Sequence, residues 1–248
     1  MSRQLRRLLV LKMDQTAREG CGRMREMKTY GQFCPVAQAL EVLGERWTLL
    51  VVRELLMGST HFSQLARGVP LMSRTLLSLR LRTLQEAGVV ERRDVPGGPE
   101  YHLTQAGDEL RPIVDGIGYW GKRFVSPPIA EEQLDPKLLM WDMQRRLHRE
   151  RLPKGRTTVL FRFSDARRGE RRFWMCVGDD GIDICLTNPG FEVDLTLDTD
   201  VRTLTDVWMG NLALRQCIKN RSIVLEGPSE LKRAFPDWLA LSVFADAS

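Results

Sequence analysis

Arg74, Thr75, Ser78 and Arg82 lie at offsets that a helix of 3.6 residues per turn gathers into one sector. Guanidiniums and short hydroxyls in one row can enter a DNA major groove, where arginine reaches base edges and phosphates and the hydroxyls donate or accept. By itself such a row is also the ordinary wet side of an amphipathic helix. The segment that follows favours the groove. Val89–Asp94 and Glu100–Leu103 read as two strands joined by Val95-Pro96-Gly97-Gly98-Pro99, whose glycines and prolines impose a narrow tip. With Arg92 and Arg93 beside it and Gly97 and Gly98 at its apex, that tip can rest on phosphate or in a minor groove. Ser73, ahead of the helix, supplies an N-cap hydroxyl and completes the set of candidate DNA contacts.

Cys34 carries a different chemistry. A thiol just ahead of a helix N-terminus feels the partial positive charge there, which favours the thiolate and its reactions with electrophiles and oxidants. The competing reading is an inert, buried cysteine. No catalytic constellation stands out: His61, His102 and His148 have no recognisable nucleophile or carboxylate partners in the sequence, and no phosphate-binding glycine loop is present. The five cysteines are odd in number and unpaired in spacing, so neither a disulfide framework nor a zinc site is expected, and no metal or cofactor.

These residues need elements to hold them. Cys34-Pro35 opens a helix with Val36, Leu40 and Leu43 on one face, ended by Gly44, and Trp47 to Leu55 follows as a second helix that is apolar almost all round. Met57-Gly58-Ser59-Thr60 breaks it, His61–Arg67 reads as a short helix, and Gly68-Val69-Pro70 as a turn. From Ser73 a helix runs to Ala87 with Leu76, Leu77, Leu81 and Leu84 as its buried stripe. After the hairpin, Thr104 to about Phe124 reads as one helix kinked at Pro112, with Leu110, Ile113, Val114, Ile117, Trp120 and Phe124 on one side. Pairing with the same helix of a second chain would bury that stripe, and a two-fold dimer suits a pseudo-palindromic operator; the alternative is packing against the C-terminal half.

Over residues 30 to 125 the pattern resembles the HxlR family of bacterial transcriptional regulators, within the MarR-like superfamily. The resemblance is carried by Cys34-Pro35, Gly44-Glu45-Arg46-Trp47, Arg53-Glu54-Leu55, Phe62, Leu65, Pro70, Ser73, Leu77, Leu81, Leu84, Gly88, Tyr101, Leu103, Thr104, Gly107 and Trp120-Gly121. It implies a winged helix-turn-helix that binds operator DNA, and a cysteine at the place of Cys34 that some relatives use to sense oxidants. Two departures bear on base readout and phosphate anchoring: Leu79 stands where relatives tend to be polar, and His61 where arginine is expected.

Ser126-Pro127-Pro128 reads as a linker to a second half. Asp135-Pro136 caps a helix through Arg149, whose end (Arg145, Arg146, Arg149, Arg151, Lys154, Arg156) reads as a solvated basic surface. Thr158–Phe163 and Arg172–Val177 alternate as strands, and Asp180-Gly181 reads as a two-residue hairpin turn that sets Ile184 beside Val177, Leu186 beside Met175 and Cys176 opposite Cys185. A strand around Val193–Leu197, a helix Val201–Leu212, a strand at Ile223–Leu225 and a helix from Ser229 complete the pattern. Helices on one face of an antiparallel sheet make this half α+β. It resembles the sterol carrier protein type 2 fold in Leu195-Thr196-Leu197, Thr203 to Gly210 and Ile223 to Leu231. That resemblance implies an apolar ligand tunnel lined by Phe161, Phe173, Met175, Leu195, Val207, Trp208, Met209 and Leu212, against the alternative that they fill a solid core.

The expected organisation is an N-terminal extension at 1–29, a winged-helix domain at 30–125 and an α+β domain at 130–248. A net charge of +5 agrees with a nucleic-acid partner. The apolar run Leu8–Leu11 is too short for a signal-peptide core, and no stretch is long enough to cross a bilayer, so a cytoplasmic setting is expected. The whole reads as a homodimeric transcriptional regulator that binds double-stranded DNA, with a C-terminal half open to a hydrophobic effector. The competing reading is a lipid carrier or interaction module whose winged helix binds protein.

Overall fold

The computed structural model describes residues 29–125, 127–179 and 181–246. The expectations for residues 1–28, Cys21, Ser126 and Asp180 lie outside them. The chain divides into two units, one ending at Arg46 and the other starting at Trp47. In the first, Cys34 precedes helix α1 (Pro35–Leu43), with proline in the first turn, where a missing N–H costs nothing. The Glu41 carboxylate accepts from the Thr29 hydroxyl (2.7 Å) and the Tyr30 amide (2.9 Å).

The second unit opens with α2 (Thr48–Leu56), α3 (Phe62–Gly68) and α4 (Arg74–Glu86). Leu77, Leu81 and Leu84 recur at helical spacing and are buried, which fixes how α4 rotates about its axis and turns its opposite side outward. Strands β1 (Val90–Val95) and β2 (Gly98–Leu103) pair antiparallel from Val90↔Leu103 to Val95↔Gly98, leaving Pro96 and Gly97 as the tip. Gly97 and Gly98 have φ of +104° and +118°, values that only glycine takes without strain. A third strand-like contact anchors the hairpin: the Tyr101 amide donates to the Thr60 carbonyl at 2.8 Å, and His61 bridges to Glu100.

The expected kinked helix after the wing is two helices, α5 (Gln105–Asp108) and α6 (Arg111–Phe124). Pro112 sits in the first turn of α6, so it starts a helix rather than bending one.

Helix α7 (Pro136–Gln144) then leads into a five-stranded sheet: β3 (Thr157–Phe163), β4 (Arg172–Gly178), β5 (Gly181–Cys185), β6 (Leu195–Thr199) and β7 (Val224–Glu226), in the order β5-β4-β3-β6-β7. The class is α+β as expected, but the sheet is mixed, because β6 runs parallel to β3 (Val159↔Leu195, Phe161↔Leu197). The β4–β5 register also differs from expectation. Gly178 pairs with Gly181, Met175 with Ile184, and Cys176 faces Asp183, with Cys185 opposite Trp174. The difference is two residues. Strand faces repeat every two residues, so alternation alone cannot tell the two registers apart. Helix α8 (Val201–Trp208) stops before Leu212, a separate α9 (Leu214–Lys219) follows, and α10 (Ser229–Ala234) closes the fold. Val159, Phe161, Phe173, Met175, Leu195 and Leu197 form the core with Met140, Met143, Leu204, Phe235 and Trp238.

One buried charge joins the winged segment to this second half. Glu54 on α2 is 0% exposed, and Arg145, just past α7, is 11% exposed. Arg145 Nη1 donates to Glu54 Oε2 at 2.8 Å, Trp141 Nε1 to the same oxygen at 3.3 Å, and Arg53 Nη2 to Oε1 at 2.7 Å. Arg53 also reaches the Gly68 carbonyl (3.1 Å), and Arg145 the Asp142 carboxylate (2.5 Å). Two sequence expectations change here. Arg145 is not part of a solvated basic surface, since it turns inward to neutralise Glu54. Gly68 is the last residue of α3 rather than a turn glycine: a Cβ there would overlap the Glu54 carboxylate, so only glycine leaves that space. Removing one partner of a buried pair strands the other charge, which costs about 3–5 kcal/mol, whereas an apolar pair of similar size is close to neutral. Glu54→Met is therefore expected to lower stability by about 3–5 kcal/mol, and the double change Glu54→Met with Arg145→Met to recover most of it. Urea unfolding at neutral pH measures both; a double variant as unstable as the single one would contradict the assignment.

Candidate nucleic-acid interface

With α4 held by its leucines, Ser73, Arg74, Thr75, Ser78 and Arg82 are exposed together on its outer side. Ser73 caps the helix, its hydroxyl accepting from the Leu76 amide at 3.2 Å. Among the described residues Arg74 and Arg82 have no hydrogen bond or ion pair to their side chains, so both guanidiniums are available. Leu79 is exposed among them.

The wing arginines are arranged differently. Arg92 pairs with Asp94 (2.8 Å) and Arg93 with Glu91 along the same strand. Both pairs are exposed, so each is weakly held and can be exchanged for a phosphate. Glu100 sits between two histidines, 2.8 Å from His102 Nε2 and 3.7 Å from His61 Nε2, while His61 Nδ1 lies 3.2 Å from the Thr60 hydroxyl. His61 therefore ties the start of α3 to the wing and does not reach outward as an arginine there would.

Cys34 lies in the first unit, partly exposed at the head of α1. Amide groups of Ala37 and Val36 facing its sulfur hold the thiol below its ordinary pKa, and slight burial opposes them. Burial pushes the Cys176 thiol up, and its neighbour Cys185, diagonal to it across β4 and β5, adds to the rise.

Of the residues suggested as a ligand tunnel, Phe161, Phe173, Met175, Leu195, Val207 and Trp208 are buried in one packed core, and Met209 lies at its margin. Leu212 stands apart, 44% exposed beyond the end of α8. Phe173 additionally lines a cleft beside α3 and α4. Sequence reading missed Glu54, Arg145 and Trp141 as a constellation. The available signal was a lone carboxylate in an apolar helix, which demands a buried cation. Among the described residues no cluster of histidine, cysteine and carboxylate side chains is placed to hold a metal, and no helix is long and apolar enough to cross a membrane.

Three packed helices, the last with a polar outer row, followed by a glycine-tipped hairpin define a winged helix-turn-helix. The family model for HxlR-like helix-turn-helix proteins matches residues 42–129. An uncharacterized HTH-type transcriptional regulator of Mycobacterium bovis is 40% identical over 119 residues, covering 42% of this chain and 73% of the relative. HTH-type transcriptional regulator YodB of Bacillus subtilis is 30% identical over 106 residues, 40% of this chain and 95% of the relative. A solved structure of the reduced form of YodB matches 39% of this chain and 98% of its own at 29% identity and a TM-score of 0.34. The chain belongs to the HxlR-like helix-turn-helix family.

The thiolate is the reactive form, so a lowered pKa raises its fraction at neutral pH and a raised one reduces it. Cys34 is expected to alkylate with a maleimide faster than Cys176 at pH 7, with its rate–pH curve displaced to lower pH. Mass spectrometry of partly labelled protein checks this, and faster labelling of Cys176 would refute it.

Proposed function

We propose that this protein is a cytoplasmic transcriptional regulator that binds operator DNA as a homodimer, inserting α4 in a major groove and laying the β1–β2 tip on the adjacent backbone or minor groove. The observation that carries this reading is the exposed row of Arg74, Thr75, Ser78 and Arg82, with two guanidiniums that have no partner among the described residues, beside a glycine-tipped wing. Arg74 and Arg82 supply base-edge and phosphate contacts, and exposed Leu79 can meet a thymine methyl. Arg92 and Arg93 leave their carboxylates for phosphates, which gives the wing a sequence-independent role.

The homodimer reading is supported by α6. Ile117 (50%), Trp120 (59%) and Phe124 (64%) stay exposed along one side of it. The opposite side already packs on other parts of the chain: Tyr119 stacks edge-on against Phe244, and Lys122 donates to the carbonyl of Met209, just past α8 (3.2 Å). A second copy of α6 is the natural cover for the open side, and two-fold pairing presents two α4 helices to two half-sites. The half from residue 130 to 248, with its sterol-carrier-like order of helices and strands, serves as a sensory or dimer-supporting domain. Cys34 offers a second input, since adding a charged or bulky group at the head of α1 alters the segment leading into the winged helix.

Arg74→Ala is expected to cost roughly 1–3 kcal/mol on a duplex selected by the protein from random sequence and little on unselected DNA, while Arg93→Ala weakens both about equally. A mobility-shift series in which Arg74→Ala lost selected and random DNA alike would refute these roles. Ile117→Glu with Trp120→Glu is expected to convert a sedimenting dimer to monomer without unfolding it. A wild-type monomer, or a variant that remained dimeric, would remove α6 from the dimer interface.

A further inference from the structure

The cleft that Phe173 enters is bounded on one side by α3 and the start of α4 and on the other by α7 and β5, and has a volume of about 720 Å³. Its floor is apolar: Met72, Trp141 and Phe173 are buried, Ile184 is half-buried, and Leu186 is 48% exposed at the mouth. A volume of this order suits a single small organic ligand.

The charged side chains that line it have one sign: among the described residues these are Arg67, Arg74 and Lys137. Arg67 stacks on the Trp141 ring at 5.4 Å, and Lys137 is engaged with Glu170 at 2.6 Å, outside the lining. Arg74 has no partner among the described residues. The N-terminus of α4 adds to this field. Ser73 receives the amides of Leu76 through its hydroxyl and Leu77 through its carbonyl, leaving those of Arg74 and Thr75, the first two of the helix, as donors.

We propose that this cleft binds a small amphipathic anion, an aromatic or short aliphatic body carrying a carboxylate, sulfonate or similar head. The body lies against Trp141, Phe173, Ile184 and Leu186, and the head meets Arg67, Arg74 and the first amides of α4. The site is distinct from the packed core of the sheet. It has a consequence for DNA: Arg74 cannot serve a bound anion and a DNA site together, so ligand and operator compete. That coupling, though not the binding itself, rests on the assignment of Arg74 to DNA.

The test uses the full chain and two naphthalene probes of nearly the same shape, anionic 8-anilinonaphthalene-1-sulfonate and uncharged N-phenyl-1-naphthylamine, followed by calorimetry. The sulfonate is expected to bind one per chain. Leu186→Trp, at an exposed position that tolerates the larger ring, should weaken it at least about tenfold, a change of about 1.4 kcal/mol. Arg67→Glu should weaken the sulfonate by a similar factor and leave the uncharged probe unchanged. Saturating sulfonate should then reduce the affinity of the wild type for its selected duplex and leave that of Leu186→Trp unaffected. Sulfonate binding that neither variant alters would overturn the site. Binding lost with both variants but without any effect of the probe on DNA would overturn the coupling. Absence of DNA binding in the wild type would overturn the regulator reading alone, since the probe titrations stand without it.

Discussion

A carboxylate with no water around it cannot remain charged without cations beside it, and Glu54 meets that constraint by drawing three separate segments together. Arg53 comes from its own helix and is held in turn by the Gly68 carbonyl of α3, where a side chain would leave no room, while the Trp141 indole comes from α7 and Arg145 from just past it. Because the cation nearest the second oxygen belongs to the sheet-bearing half, the winged segment and that half pack as one unit. Arg145 and Arg67 also stack on the Trp141 ring, at 5.0 Å and 5.4 Å, so a single indole is held by charges from both sides of the junction.

This arrangement sets where the residues proposed to face DNA point. Helix α3 leans on α7, the turn after Gly68 follows from it, and α4 starts at Ser73 with its leucines already committed to the interior. Arg74 and Arg82 on α4 are left without partners among the described residues, while the arginines on the wing are provisionally paired with carboxylates on their own strand. In the proposed complex the two sets then differ in role: the first is available to bases, the second trades one anion for another. The cleft between the halves exists because the same junction holds α4 close to β5 without filling the space.

Much of this was legible in the sequence. Leucines at helical spacing located α4, the Pro-Gly-Gly-Pro stretch located the wing, and alternating residues located β3 and β4. What escaped had a common cause, a dependence on contacts remote in the chain. A two-residue shift between β4 and β5 keeps every side chain on its face, so Cys176 opposite Cys185 and Cys176 opposite Asp183 look the same to an alternation pattern. Parallel pairing of β3 with β6 leaves no local mark. Gly68 reads as a turn until the Glu54 carboxylate is placed against it, and Arg145 reads as surface charge until its partner, far back in the chain, is known. Pro112 was visible, but whether proline bends a helix or begins one depends on whether the preceding turn is needed elsewhere.

The central claim is that Glu54 makes the winged segment and α7 a single cooperative piece, and hydrogen exchange measures this directly. Comparing wild type with Glu54→Met, the account predicts that peptides covering residues 48–68 and 136–146 lose protection together, by a similar factor, while β3 and β4 at the centre of the sheet keep theirs. Loss confined to residues 48–56, with α7 exchanging as in the wild type, would contradict it.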